Sequence, residues 1–420
     1  MLRRDATRQS GRDRLQNDMG PTFDAVVVGA GPAGSATAAF LAERGFHVVL
    51  LDRATFPRAK PCAEYLSPQA ARVLDRLGVL HQLDGEEPAR LAGMEIVSPN
   101  GTRFTGRFVG GHSFRGYRDH GLALPREILD SYLVDAAVAH GAVLREETVV
   151  EGFADRVQHA RTLMVRTAGR RETISARVVV GADGLNSRVA GDLRVTRRGQ
   201  RRRMALVAHA THVSNMTDTG EMHVSPLGYV GLAPVGRGLT NVAVVVDLAR
   251  IPDKHMNERW FHRMLRQNPE LADRMSQASF VDPIRAVGPF ARWTTRATGD
   301  RTLLVGDAAD FCDPFTGEGI YAALRGAELA ADHLVACLEA DRLTEADLAP
   351  YDMARRREFG KKWIVERLVS WAVAHPKMFD RVAARFAADQ SLADILVGVT
   401  GDFVPADQVL RPSYLWKLVR

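Results

Sequence analysis

Gly29-Ala30-Gly31-Pro32-Ala33-Gly34 spaces three glycines as GxGxxG, and Asp52 follows 23 residues after the first of them. Glycines at these positions permit a tight turn, let the backbone approach a pyrophosphate, and let a helix lie close on a strand. The helix that follows would offer free amides and a partial positive charge to the phosphates. An acid such as Asp52 would accept from ribose hydroxyls, and it disfavours a ribose 2′-phosphate. The setting strengthens a spacing that is weak on its own. Ala25–Val28 is a continuous apolar run, Ser35–Arg44 is alanine-rich, Gly45 stands at a helix cap, and His47–Leu51 is a second apolar run.

Two more acids end apolar runs: Asp183 after Val178-Val179-Val180-Gly181-Ala182, and Asp307 after Leu303-Leu304-Val305-Gly306. A buried acid at a strand's end needs hydroxyl or amide partners to stay charged. The segment Asp313-Pro314-Phe315-Thr316-Gly317-Glu318-Gly319-Ile320 then leads into a helical stretch. Its amides could face the edge of a flavin ring, where negative charge develops on reduction. A simple helix cap would also account for Thr316–Gly319.

These elements, in this order, resemble the FAD-dependent oxidoreductases of the para-hydroxybenzoate hydroxylase fold, and more narrowly the geranylgeranyl reductases. The resemblance runs from Asp24 to Ala340 and more weakly to the end. It implies FAD as cofactor, Asp307 on its ribityl chain, Asp183 near its pyrophosphate, and Arg126 of LALPRE in contact with it. Arg53, Gly306, Pro314, Thr316, Gly317, Glu318, Gly319 and Ile320 complete the expected cofactor site. Aromatic hydroxylases usually carry a histidine after GDAA and a glutamine in the glycine segment. Here Asp310 and Glu318 stand in those places, and GEGI looks like the reductases. The WxWxIP segment of flavin-dependent halogenases is absent.

The reductases also place a basic pair, a cysteine and usually two glycines beside the flavin ring. Arg58, Lys60 and Cys62 match, whereas Ala63 and Glu64 replace the glycines. Cys62 reads equally as a buried small hydrophobe, and Cys312 as structural.

Residues 225–238, SPLGYVGLAPVGRG, lack the lysine, hydroxyl spacing and following helix of a phosphate cradle. They read as a strand from about Tyr229, a turn at Gly236-Arg237-Gly238, and a return strand over Thr240–Leu248. Tyr229, Gly231 and Ala233 then share one face. The geranylgeranyl reductases carry PxxYxWxFP here, lining the substrate cavity. Pro226, Tyr229 and Pro234 match, and Gly231 and Ala233 stand where the tryptophan and phenylalanine would be. Either neighbours fill that space, or the cavity takes something bulkier than a linear prenyl chain.

The elements that must position these residues suggest an α/β fold. A Rossmann-like FAD-binding domain is expected in three pieces, 23–85, 121–193 and 286–345. An inserted antiparallel sheet for substrate takes 86–120 and 194–285, a helical region takes 346–420, and 1–22 reads as a disordered arm, a candidate product of an upstream start codon. Helices are expected over Ser67–Leu80, Pro125–His140 and Gly317–Ala340, and from about Leu343 to Val399. Strands are expected within Met94–Gly116, Met204–Leu248 and Thr302–Val305.

The 420 residues are 46% hydrophobic, enough for a large core in two lobes. Six arginines among the ten residues of Arg194–Arg203 carry much of the net charge of +6. They read as a solvated loop, or as an attractor of cofactor phosphates or an anionic membrane. Nucleic acid is not expected, since no aromatics interleave. Cys62, Cys312 and Cys337 form no CxxC pair, so neither metal nor disulfide framework is expected and a reducing cytoplasm fits. No apolar run reaches the roughly 18 residues that span a bilayer. Trp363, Ile364, Leu368, Val369, Trp371, Phe379, Val382 and Phe386 make the C-terminal region amphipathic. It reads as a helical lid, or as a membrane-facing surface with Lys361, Lys362, Arg381 and Arg385 toward headgroups.

The leading expectation is an enzyme that passes reducing equivalents from NAD(P)H or another carrier through FAD to a lipophilic isoprenoid or polycyclic substrate. The alternative is a FAD-dependent monooxygenase, and the remote one a flavin-binding protein without catalysis. No second strand–GxGxxG–helix unit is present, so a nicotinamide would bind transiently. Besides the flavin, Cys62 and Tyr229 are the catalytic candidates. His112, His120 and His223 read as surface or core residues.

Overall fold

The computed structural model describes residues 23–154, 159–199, 203–251 and 257–419. The expected arm 1–22 and positions 200–202 of the arginine run lie outside the described residues.

The valine-rich run Phe23–Val28 forms the centre of a parallel sheet. Arg170–Gly181 and then Thr302–Leu304 lie on one side, and Val48–Leu51 and then Val143–Arg145 on the other. Val26 sits opposite Val179 and Val49 in register. Strands covered on both faces need such uninterrupted apolar runs. Helix Pro32–Glu43 is buried along nearly its whole length, between helices Arg126–Ala139 and Gly319–Glu339. Its alanines suit a helix with no solvent face.

A second large sheet runs in the order Ser279–Phe280, Arg203–Thr211, Thr240–Asp247, Gly228–Pro234, Thr219–Ser225, Gly93–Val97, Arg103–Arg107. All neighbours are antiparallel except Thr219–Ser225 and Gly93–Val97, which are parallel. On one face Val230, Leu232, Val242 and Val244 pack under helix Glu258–Gln267 through Trp260, Phe261, Met264 and Leu265. The other face, with Tyr229, Ala205 and Val207, looks toward the parallel sheet and the C-terminal helices. The turn at Gly236-Arg237-Gly238 holds positive φ at all three residues, as the hairpin reading requires.

Several expected boundaries shift. The helix over Ser67–Leu80 begins only at Ala70, where Ser67 accepts from the Ala70 amide, and it ends at Arg76 before Gly78 turns left-handed. A separate helix covers Leu80–Gly85. The helix expected from Gly317 begins at Gly319, because Pro314–Thr316 forms a 3-10 turn and Gly317 has φ +72°. Within Met94–Gly116 only Gly93–Val97 and Arg103–Arg107 are strands. Ala89–Leu91 pairs with Gly121–Ala123, and Thr196–Arg198 with Arg292–Thr294, so neither joins the large sheet. Helices continue past Val399, as far as Val419.

Helix Gln390–Thr400 docks on the sheet's last strand. Gly106 leaves room for Val397, and buried Asp394 accepts from the Arg107 amide at 2.9 Å and Gln390 Nε2 at 2.7 Å. Asp394→Ala should leave the Arg107 amide without this acceptor and cost about 2 kcal/mol, read as a lower urea midpoint with unchanged slope.

Candidate cofactor and substrate site

The glycine turn is built by close approach. Gly29 has φ +99°, and a Cβ there would press on the Ala182 carbonyl. A Cβ on Gly34 would overlap the Gly29 carbonyl oxygen. Asp52 ties the turn down, accepting from the Ala30 amide at 2.9 Å and the Ala54 amide at 2.9 Å. Helix Pro32–Glu43 starts at Gly31 without a side-chain cap, and Pro32 has no amide to satisfy. Its first amides therefore stay open for a ligand.

Cations gather over this turn. Arg126, 4% exposed, makes two hydrogen bonds of 2.8 Å to Asp130. Arg58 lies 3.2 Å from Asp130 and 3.5 Å from Asp52. A Cβ on Gly31 would stand 3.7 Å from Arg58 Nη2 and 3.8 Å from Arg126 Nη2, so both guanidinium groups face the open turn. Burial, reinforced by Arg126, pulls the Lys60 ammonium below its ordinary pKa, against the pull of Asp307. Burial pushes the Asp307 carboxyl up, opposed by Lys60 and Arg126. Arg53 is exposed and does not line the cavity.

The donor and acceptor groups left over fit FAD. Asp183 Oδ2 accepts from the Arg188 amide at 2.7 Å, while Oδ1 is buried without a partner. Burial raises the Asp183 pKa. Arg58 Nε is also buried and unpartnered, and Asp307 opens into the cavity. Buried polar atoms are almost always satisfied, so orphans around an uncapped helix start mark a ligand's place. The guanidinium groups and amides would hold the pyrophosphate, Asp307 the ribityl hydroxyls, and Asp183 would lie near the pyrophosphate.

The flavin-side segment divides. Pro314, Gly317, Gly319 and Ile320 line the main cavity, and Gly317 is held against the Tyr65 ring. Glu318 and Thr316 instead face a second cavity, into which Lys362, Glu366 and Asp402 also turn. Burial raises the Glu318 pKa, against the pull of Lys362, and burial with the Glu318 charge raises Glu366 well above the usual range. Lys362 lies 3.7 Å from Glu318 and pairs with Asp402. The expectation that it faces headgroups is therefore corrected, because these inward acids hold it.

Beyond the turn lies a mainly apolar cavity, a space of about 1500 Å³ when the solvent at its mouth is included. Part of its sheet wall is small, with Ala205, Gly231, Ala233 and Ala243 beside Met222, and Val207, Val245 and Tyr229 line it too. A Cβ on Gly231 would stand 3.3 Å from Met222 Sδ, so methionine covers part of the space left by the missing aromatics. Tyr229 is fully buried, and its hydroxyl donates to Asp313 at 2.9 Å. Burial and that carboxylate raise its pKa well above the ordinary value. Tyr229 thus fastens the 313–319 segment, and its hydroxyl is committed there. Cys62 lines the cavity, whereas Cys312 lies outside it, pushed up to about 12 by burial. His112, His120 and His223 do not line it.

Sequence reasoning missed four residues here. Tyr65 lines the cavity with a buried hydroxyl that lacks a partner. Glu64 and Asn241 line it too, and His209 binds Glu64 from behind. A glutamate at a position that favours glycine was the available signal.

A pyrophosphate bracketed by ribose and polyol hydroxyls answers every open group around the turn, and FAD carries all of them; the molecule is a FAD-dependent oxidoreductase. It belongs to the FAD binding domain family, which it matches over residues 22–364. It is similar to conditioned medium factor receptor 1 of Dictyostelium discoideum, with 27% identity over 93% of this chain and 79% of that protein. Digeranylgeranylglycerophospholipid reductase 2 of Methanopyrus kandleri is 29% identical, covering 81% of this chain and 83% of that one. Menaquinone reductase of Mycobacterium tuberculosis is 28% identical, covering 94% of each. Among solved structures, a flavoprotein/dehydrogenase from Cytophaga hutchinsonii superposes with a TM-score of 0.81 at 20% identity, covering 94% of this chain and 96% of that one.

Asp307→Ala should weaken FAD binding at least tenfold, about 1.4 kcal/mol, in a titration of the apoprotein followed by flavin fluorescence. Full flavin occupancy in that variant would refute the assignment.

Proposed function

We propose that this enzyme passes reducing equivalents, from NAD(P)H or another carrier, through FAD to a lipophilic substrate of isoprenoid or polycyclic type. The observation that carries this reading is the mainly apolar cavity continuous with the cofactor turn, where alanine, glycine and methionine stand beside valine, leucine and aromatic side chains. FAD supplies the two-electron chemistry when bound. The chain's part is to hold it through Arg58, Lys60, Arg126 and Asp307, to exclude water with the apolar wall, and to shape the substrate's berth. The names of the two reductase relatives support a lipophilic substrate. The small wall at Gly231 and Ala233 supports a bulkier one than a single linear prenyl chain.

Substrate would arrive from a membrane surface. No described helix is long and apolar enough to cross a membrane. Ile364, Leu368 and Trp371, each more than 40% exposed, recur at i, i+4 and i+7 on helix Glu345–Val373. Such a stripe, with Lys361 and Arg367 exposed beside it, suits contact with anionic headgroups.

Gly231→Trp should raise the KM for a menaquinone or polyprenyl substrate at least tenfold while flavin content stays unchanged. Unchanged KM would remove Gly231 from the cavity wall. Anaerobic incubation of the reduced enzyme with either substrate should give a product that has gained two hydrogens. A product formed only in air and carrying a new oxygen would instead establish the monooxygenase reading.

A further inference from the structure

Glu64 occupies a backbone conformation that glycine favours, with φ +60°. Its carboxylate, 3% exposed, joins three parts of the molecule. Oε1 accepts from the Arg126 amide at 2.8 Å, at the start of the helix whose guanidinium faces the glycine turn. Oε2 accepts from Asn241 Nδ2 at 2.9 Å and lies 2.6 Å from His209 Nε2, both on strands of the large sheet. Asn241 also donates to the Cys62 carbonyl at 2.9 Å. Behind His209, Asp282 accepts from its backbone amide at 2.7 Å and lies 3.0 Å from Nδ1.

We propose that the Glu64–His209 ion pair is a clasp that holds the 58–66 segment in its cofactor-binding shape, so that retention of FAD depends on the proton carried by His209. The clasp rests on placing Arg58, Lys60 and Cys62 at the cofactor, and not on the identity of the substrate.

The charges around His209 support a proton held through neutral pH. Burial alone would lower the imidazole pKa, but the hydrogen bonds and charges of Glu64 and Asp282 outweigh it and raise it to about 9. Arg285 faces the same Asp282 carboxylate at 2.8 Å, and Asn241, paired with His209 across the sheet, is neutral. A histidine raised from 6.5 contributes its full stabilisation below that value and loses it as pH rises through about 9. Deprotonation removes the positive charge between two carboxylates and leaves one imidazole N–H to serve both Glu64 and Asp282, so the buried Glu64 carboxylate, in a left-handed residue, loses the cation that offset its burial. Arg126 and Cys62, tied to the same carboxylate and amide, would move with it. His209 is a positioning residue here, since it touches neither cofactor nor cavity.

The experiment measures FAD dissociation from the purified holoprotein, by recovery of free flavin fluorescence, from neutral pH to one unit above His209's value. The wild type should lose affinity roughly tenfold in a step centred near pH 9. His209→Gln should start at the weakened value and show no such step. Asp282→Asn, which leaves the cavity wall intact, should move the midpoint to lower pH. Glu64→Gly, free of backbone strain, should abolish the step while keeping the fold. Lys60 also faces the cavity with a lowered pKa. A step that persists unchanged in His209→Gln or Asp282→Asn would belong to that lysine or the flavin, and would overturn the clasp. Asp307→Ala measured alongside separates the two failures, because flavin loss there with an unchanged step in His209→Gln overturns the clasp alone.

Discussion

Moving a carboxylate out of water costs several kcal/mol unless cations and amides replace its hydration. In this protein the carboxylates that meet that requirement stand where layers join. Asp130, fully buried, is bracketed by Arg126 and Arg58 above the glycine turn. Asp313 gathers Arg203 and Tyr229 from the large sheet and Ser370 from helix Glu345–Val373. Glu64 links the cofactor segment to the sheet. The position of the sheet over the cofactor turn is thus set by directional, charge-assisted bonds as well as by apolar packing. Each of these carboxylates has more than one partner, and the partners come from different segments, so each joint ties several parts of the chain at one point.

The parts legible in the sequence were those decided locally. The glycine turn, the valine runs on either side of it and the hairpin at Gly236-Arg237-Gly238 each follow from steric rules that act over a few residues. The alternation of Tyr229, Gly231 and Ala233 likewise put them on one face, and that face lines the cavity. What depended on distant partners was not legible. Alternation cannot reveal that Thr219–Ser225 lies parallel to Gly93–Val97. Glu318 turns from the flavin side because Lys362, on a helix far along the chain, awaits it. Glu64 read as a mere loss of glycine until His209 and Asn241 were found beside it.

The cavity wall shows how one frame admits different substrates. Large aromatics would fix its contour. Here Met222 and Met94 stand beside glycine and alanine, and unbranched thioether chains repack at little cost. Tyr229 fastens the wall, its hydroxyl holding the loop while its ring meets Phe315 edge-on at 5.0 Å.

The interleaving of the two sheets governs the order in which the molecule can come together. Phe23–Val28 needs Arg170–Gly181 at its side, and that strand needs Thr302–Leu304. Gly93–Val97 must wait for Thr219–Ser225. A chain emerging from the ribosome therefore exposes its most apolar strands long before their partners exist. Such distant pairings fold slowly and leave sticky edges open meanwhile. The glycine turn that would grip the cofactor is synthesised long before the strands that enclose it.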